Sequence, residues 1–275
     1  MKAILNEQYV EAAEPLFSSS NRAFRYGDAL FETIKVIQGK PQFLERHLFR
    51  LIKSMGALEM EMSDQLTLHR LEKTLLDLLQ TNAIHAGGRI RLAVYRKDGG
   101  YYAPLSDQIN VWIEAEKGEN EYPYNSLGHS FELFETHKKP LNQLSMLKSS
   151  SALLYVLASR ARSHSPHDEL ILINDANRLC EATASNLFLV KNKVLFTPLI
   201  SEGVLPGIMR EHIIQLAKSN GIKVKEVKLE ISDLDEVDEV FTTNSIAGIQ
   251  WYKAFRKKRY FNTTSKKLNR LLHKN

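Results

Sequence analysis

The run Ala29-Leu30-Phe31-Glu32-Thr33-Ile34-Lys35-Val36-Ile37 alternates with a period of two, and it constrains the fold more than any other segment. Such alternation predicts a strand with one buried face. It reaches a turn at Gln38-Gly39-Lys40 and resumes at Pro41-Gln42-Phe43-Leu44, so the segment reads as a hairpin. Helical spacing follows at once. Leu48, Leu51 and Ile52 mark a helix over 45–55, and Leu66, Leu68, Leu71, Leu75 and Leu78 form an apolar stripe over 64–79. Strands over 89–95 and 109–114 come next, separated by Gly99-Gly100-Tyr101-Tyr102.

The polar stretch over 116–127 reads as an exposed connection, which sets domains at 1–118 and 119–275. The second part predicts strands at 129–135, 170–173, 187–190, 194–197, 224–229 and 240–243. Helices are expected over 148–163 and from Pro206-Gly207 to 219. Strands cluster between helices, so the class is α+β. With 275 residues, 43% of them apolar, the chain can bury a substantial core.

Several function classes lose support. No apolar run approaches the ~18 residues of a membrane span, and no secretory leader is evident near Met1, so a cytoplasmic protein is expected. The single cysteine, Cys180, excludes an intrachain disulfide and a thiolate-rich zinc site. His164-Ser165-Pro166-His167-Asp168-Glu169 reads as a polar connector, and no metal is expected. Net charge is +5, but Lys253, Arg256, Lys257, Lys258, Arg259, Lys266, Lys267, Arg270 and Lys274 supply nine positive charges near the C-terminus. Removing them leaves the first 252 residues at −4. The tail reads as a solvated face, and nucleic acid is not an expected partner. Dinucleotide, P-loop, nucleophile-elbow and zincin motifs are all missing.

Two charged residues stand in small, apolar surroundings. Lys148 lies in Leu144-Ser145-Met146-Leu147-Lys148-Ser149-Ser150-Ser151-Ala152-Leu153-Leu154. Glu181 lies in Leu179-Cys180-Glu181-Ala182-Thr183-Ala184-Ser185-Asn186-Leu187-Phe188. A desolvated lysine can act as nucleophile or base, although either residue alone is more often a surface group or a paired core ion.

Together with Arg25-Tyr26-Gly27-Asp28-Ala29-Leu30-Phe31-Glu32-Thr33, Phe43-Leu44-Glu45-Arg46-His47-Leu48-Phe49-Arg50-Leu51, Gly203-Val204-Leu205-Pro206-Gly207-Ile208-Met209-Arg210 and Thr242-Thr243-Asn244-Ser245, these blocks make the chain resemble the class IV aminotransferases. Those are the pyridoxal-phosphate enzymes of fold type IV, which has the D-amino-acid aminotransferase-like architecture. The resemblance implies two α/β domains with pyridoxal 5'-phosphate between them, and a homodimer. It implies that Lys148 holds the cofactor as a Schiff base and moves the proton at the reacting carbon. Glu181 would face the pyridine nitrogen. Arg50, the N–H groups of Ile208 and Met209, and Asn244 would bind the phosphate.

Within the family, Thr33, Gly207-Ile208-Met209-Arg210 and Asn244 are most like aminodeoxychorismate lyases. Branched-chain aminotransferases usually have glycine at the place of Thr33 and tyrosine at that of Leu153. D-Amino-acid aminotransferases have tyrosine at that of Phe31. The resemblance therefore implies conversion of 4-amino-4-deoxychorismate to 4-aminobenzoate and pyruvate. Thr33 would assist proton delivery, Arg96 would hold a substrate carboxylate, and Phe31 and Tyr101 would line the substrate. Tyr101 stands where such lyases commonly carry a second arginine. Amino-group transfer between branched-chain or D-amino acids and 2-oxo acids is the alternative. A non-catalytic nucleic-acid-binding module would leave the ordered blocks unexplained.

Overall fold

The computed structural model describes residues 1–14 and 17–273; Lys274 of the basic run lies outside them. The chain divides into two compact units. The first comprises 1–121 together with 147–151, and the second comprises 122–146 and 152–275. The sequence predicts a single cut at 118/119; the division is instead discontinuous, because the segment around Lys148 returns to the first unit.

The first unit opens with a hairpin that has no strong sequence signal, β1 (Lys2–Leu5) and β2 (Gln8–Glu11). A short helix, α1 (Arg22–Tyr26), precedes β3 (Ala29–Ile37) and β4 (Lys40–Pro41). Phe43 adopts a left-handed conformation, φ +54°, and the hairpin stops at Pro41, three residues earlier than its apolar pattern suggests. Helices α2 (Leu44–Ala57) and α3 (Leu68–Thr81) follow, then β5 (Gly88–Arg96) and β6 (Ile109–Lys117). The six strands form an antiparallel sheet in the order β2-β1-β6-β5-β3-β4.

Alternation gives this sheet two unlike faces. Leu30, Ile34, Val36, Ile90, Leu92 and Val94 share one core with Leu48, Leu51 and Met55 of α2 and Leu71, Leu75 and Leu78 of α3. Phe31, Thr33, Lys35 and Arg91 occupy the alternate positions.

The second unit is built on β7 (His129–Lys139), α4 (Leu153–Ser163), β8 (Glu169–Asn174), β9 (Leu179–Ala182), β10 (Asn186–Lys191) and β11 (Val194–Pro198). Then come α5 (Ile208–Ser219), β12 (Val224–Val227), α6 (Asp233–Glu236), β13 (Glu239–Asn244), β14 (Gly248–Phe255), β15 (Lys258–Arg259) and α7 (Thr263–Leu272). The main path runs β12-β11-β10-β13-β14-β7-β8-β9. A bridge between Glu181 of β9 and Asn186 of β10 closes six of these strands into a ring.

The basic C-terminal stretch is only partly a solvated face. Phe255 and Tyr260 are buried, and Leu268 and Leu272 lie on the inner side of α7, which packs on α5 and β14. Lys266, Lys267 and Arg270 remain exposed on its outer side. No helix among the described residues is long and apolar enough to cross a membrane.

Candidate active site

Lys148 lies in extended chain, five residues before α4 begins, rather than at the helix start its apolar neighbours suggest. Three consecutive serines follow it, and serine competes with helix for backbone hydrogen bonds. The segment instead joins the sheet. The Phe31 N–H donates to the Lys148 carbonyl at 2.9 Å, the Ser150 N–H donates to the Ala29 carbonyl at 2.9 Å, and Ser149 bridges Leu30. This attachment puts the Lys148 amine 4.4 Å from the centre of the Phe31 ring.

Thr33 follows Phe31 on the same strand face and is half-buried. Directly across the ladder from Thr33 stands Arg91, whose guanidinium carbon is 4.0 Å from the Phe31 ring centre. Its nearest carboxylate, Glu114, is 3.9 Å away, too far for a hydrogen bond. Sequence reasoning does not single out Arg91, although the alternation of Arg89, Arg91, Ala93 and Tyr95 places it on the face of Thr33.

The opposite face holds a buried charge cluster. Glu32 receives Nε of Arg50 at 2.8 Å on one oxygen. Its other oxygen contacts Nη2 of the same guanidinium and Nδ1 of His47 at 2.7 Å. Burial raises the Glu32 pKa, but the charge of Arg50 and the His47 hydrogen bond outweigh it, and the carboxyl is held down to about 2. Burial also keeps His47 below its ordinary value. Arg50 is therefore oriented by Glu32, a partner that sequence reasoning does not assign. The helical spacing of His47 and Arg50, both toward the sheet, is the signal that could have found it.

Arg96, an expected substrate contact, is committed to acceptors inside the fold. Arg96 is buried, and four of its five N–H donors serve Asp28, Asp107 and the Glu59 and Leu58 carbonyls. It braces the fold instead of presenting a fork to a substrate. Tyr101 is 82% exposed, and its carbonyl accepts a hydrogen bond from Arg22 at 2.6 Å.

In the second unit, Glu181 is almost wholly buried at the strand seam. Its Oε1 contacts the Lys139 amine and accepts the Tyr155 hydroxyl at 2.6 Å. Its Oε2 accepts the Leu205 N–H at 2.9 Å and lies 3.4 Å from the Asn186 amide. Burial, then the Glu181 charge, pushes the Tyr155 hydroxyl far above its ordinary value, so it stays a donor.

Beside this group, α5 begins after Gly207. A Cβ there would meet the Asn186 side-chain oxygen at 1.9 Å, so glycine is what lets the helix start against β10. Among the described residues, the Ile208 and Met209 N–H groups have no backbone acceptor, as expected in a first helical turn. Thr243 pairs with Asn186 across the sheet, and its hydroxyl is buried without a hydrogen bond. Asn244, expected to donate to the phosphate, is engaged within the fold. Its carboxamide closes a turn to the Ile246 and Ala247 N–H groups and donates to Ser185 at 2.9 Å. Ser245, next to it, offers a hydroxyl and an N–H with no internal hydrogen bond among the described residues.

These groups fit pyridoxal 5'-phosphate chemically. A helix N-terminus with an orphaned hydroxyl nearby suits a phosphate, a buried carboxylate suits a protonated pyridine nitrogen, and an amine above an aromatic ring suits an aldehyde-bearing cofactor.

The amino-transferase class IV family model matches residues 29–254. A Methanocaldococcus jannaschii protein named for branched-chain-amino-acid aminotransferase activity is 31% identical over 90% of this chain and 86% of its own. The aminodeoxychorismate lyase of Bacillus subtilis is 28% identical over 89% of this chain and 83% of its own. Among solved structures, the branched-chain aminotransferase of the archaeon Thermoproteus uzoniensis superposes with a TM-score of 0.90 at 22% identity, covering 100% of this chain and 94% of that one. Another branched-chain amino acid aminotransferase, solved with pyridoxamine 5'-phosphate, superposes with a TM-score of 0.88. The α+β architecture in two units is the fold these aminotransferases have.

Proposed function

We propose, from the premise that this chain belongs to the class IV aminotransferase family and is a pyridoxal 5'-phosphate-dependent enzyme, that it converts 4-amino-4-deoxychorismate to 4-aminobenzoate and pyruvate. Lys148 would carry the cofactor, Glu181 would meet its ring nitrogen, and Arg50 with the Ile208, Met209 and Ser245 N–H groups would take the phosphate. The bound cofactor supplies an electron sink for the carbon that loses its proton.

The chain's own residues do the rest. Lys148, pinned above Phe31, removes the proton from the amino-bearing carbon. Thr33 passes a proton toward the departing enolpyruvyl group, which leaves as pyruvate while the ring becomes aromatic. Arg91 pairs with a substrate carboxylate, where a planar guanidinium fork suits the geometry. The observation that carries this reading is the direct pairing of Thr33 with Arg91 on the sheet face where the Lys148 amine lies.

Amino-group transfer to a 2-oxo acid is the second reading, favoured by the 31% identity to the M. jannaschii protein. We also infer a homodimer in the cytoplasm. Helix α4 is apolar on its outer side as well, with Leu153, Val156 and Leu157 exposed.

The test is 4-aminobenzoate release from enzymatically prepared aminodeoxychorismate by cofactor-saturated protein. Release well above the uncatalysed rate, lost in Lys148→Ala, supports the lyase. A cofactor-bearing protein that releases none, but exchanges amino groups with glutamate, establishes the transferase.

A further inference from the structure

The reading above leaves a fully buried cation without a task. Lys139 is 2% exposed, and its position is the work of a strand irregularity. Along β7 and β8 the register runs Phe131↔Glu169 to Phe134↔Leu172, then jumps to Lys139↔Asn174. Five residues on one strand thus span two on the other. Glu135, Thr136, His137 and Lys138 are exposed in the bulge, and Lys139 turns inward. Its amine contacts Oε1 of Glu181 and donates to the Tyr155 hydroxyl at 2.7 Å.

The two carboxylate oxygens are unequally used. Oε1 has a lysine amine and a tyrosine hydroxyl against it. Oε2 has one firm donor, the Leu205 N–H, and the long 3.4 Å approach of Asn186. A carboxylate accepts about four hydrogen bonds, so the remaining capacity lies on Oε2. A buried ion pair also adds little net stability compared with apolar packing of the same volume.

We propose that Lys139 and Tyr155 are positioning residues: they clamp Oε1 of Glu181 and reserve Oε2 for the proton on the cofactor's ring nitrogen. The proposal rests on the role given to Glu181 above. Its consequence is electrostatic. The lysine charge offsets part of the carboxylate charge, so the ring nitrogen faces a weaker anion than a lone glutamate would be. Removing that positive charge raises the pKa of neighbouring basic groups.

The experiment uses full-length protein loaded with pyridoxal 5'-phosphate, and reads the pH midpoint of its visible absorption band and the Kd for the cofactor. In Lys139→Met the midpoint should rise by about one unit or more and the Kd by about tenfold, with circular dichroism unchanged. Lys139→Arg, which restores the charge, should bring the midpoint most of the way back. Tyr155→Phe should move it by a smaller amount. A folded Lys139→Met protein with an unmoved midpoint overturns the proposal and leaves the pair a structural one. If Lys139→Met does not fold, Tyr155→Phe decides on the same criterion, because it deletes one hydroxyl at nearly constant volume. Failure of the parent reading looks different: either wild-type protein shows no visible band, or Glu181→Gln leaves band and midpoint unchanged.

Discussion

The carbonyl of Lys148 accepts the Phe31 N–H at 2.9 Å, and the amine of the same lysine lies 4.4 Å from the centre of the Phe31 ring. Both ends of the lysine are thus referred to one residue, by a backbone hydrogen bond and by a cation–π contact. Phe31→Leu keeps the first and removes the second. Turnover should fall about 10–100-fold through misplacement of the amine, with bound cofactor and thermal stability nearly unchanged. Steady-state kinetics beside a cofactor assay checks this; an unaltered kcat would show that the ring does not orient the amine.

Arg91 and Arg96 should fail in opposite ways. Arg91→Met deletes the proposed carboxylate partner, a charge-assisted bond of about 1.5–3 kcal/mol. KM should therefore rise about 10–150-fold while urea unfolding barely changes. Arg96→Met strips a buried guanidinium from Asp28 and two carbonyls. It should cost about 3–5 kcal/mol of stability and leave the KM of the folded fraction near wild type. The reverse pattern would return Arg96 to the substrate.

The Glu32 cluster makes the first unit sensitive to acid. The carboxyl titrates at about 2 in the fold and at about 4.3 in an unfolded chain. Its contribution, about 3 kcal/mol, is complete above about pH 4.5 and is lost as the pH falls toward 2. His47, also held below its ordinary value by burial, adds to the loss in the same direction. Chemical denaturation from pH 6 to 3 should show the stability gap between wild type and Glu32→Gln closing as the solution becomes more acidic. A constant gap would show that the cluster's charge is not linked to folding.

Self-association is expected to use the outer side of α4. Replacing Leu153 and Val156 with glutamate buries charge in an apolar interface and should shift sedimentation velocity from dimer to monomer. Neither side chain is buried within the chain, so the protomer should remain folded. An unchanged sedimentation coefficient would put the interface elsewhere.

Local patterns carry much of the first unit. The alternation through Ala29–Ile37 and the leucine stripe around Leu71 and Leu75 each follow from one element's own period, and both elements form there. Partnerships across elements are harder to read. Glu32 meets Arg50 only because strand alternation and helix spacing happen to aim at each other, eighteen residues apart. Lys139 is invisible for a related reason: a strand irregularity, and no recognisable residue pattern, turns it inward. Arg96 misleads because an arginine beside a glycine-rich loop resembles a substrate fork, and only its internal acceptors show otherwise. The C-terminal charges conceal Leu268 and Leu272, whose helical spacing is nonetheless present.

The return of residues 147–151 to the first unit has a consequence for biosynthesis. Synthesis from the N-terminus proceeds at about 5–20 residues per second, so Phe31 leaves the ribosome roughly 6–23 s before Lys148 follows it. During that interval the Phe31 N–H and the Ala29 carbonyl wait for partners, and the nascent sheet has no reactive amine beside it. A chain released after the first 121 residues would never acquire one. Topology thus delays the reactive group until much of the scaffold meant to restrain it has been made.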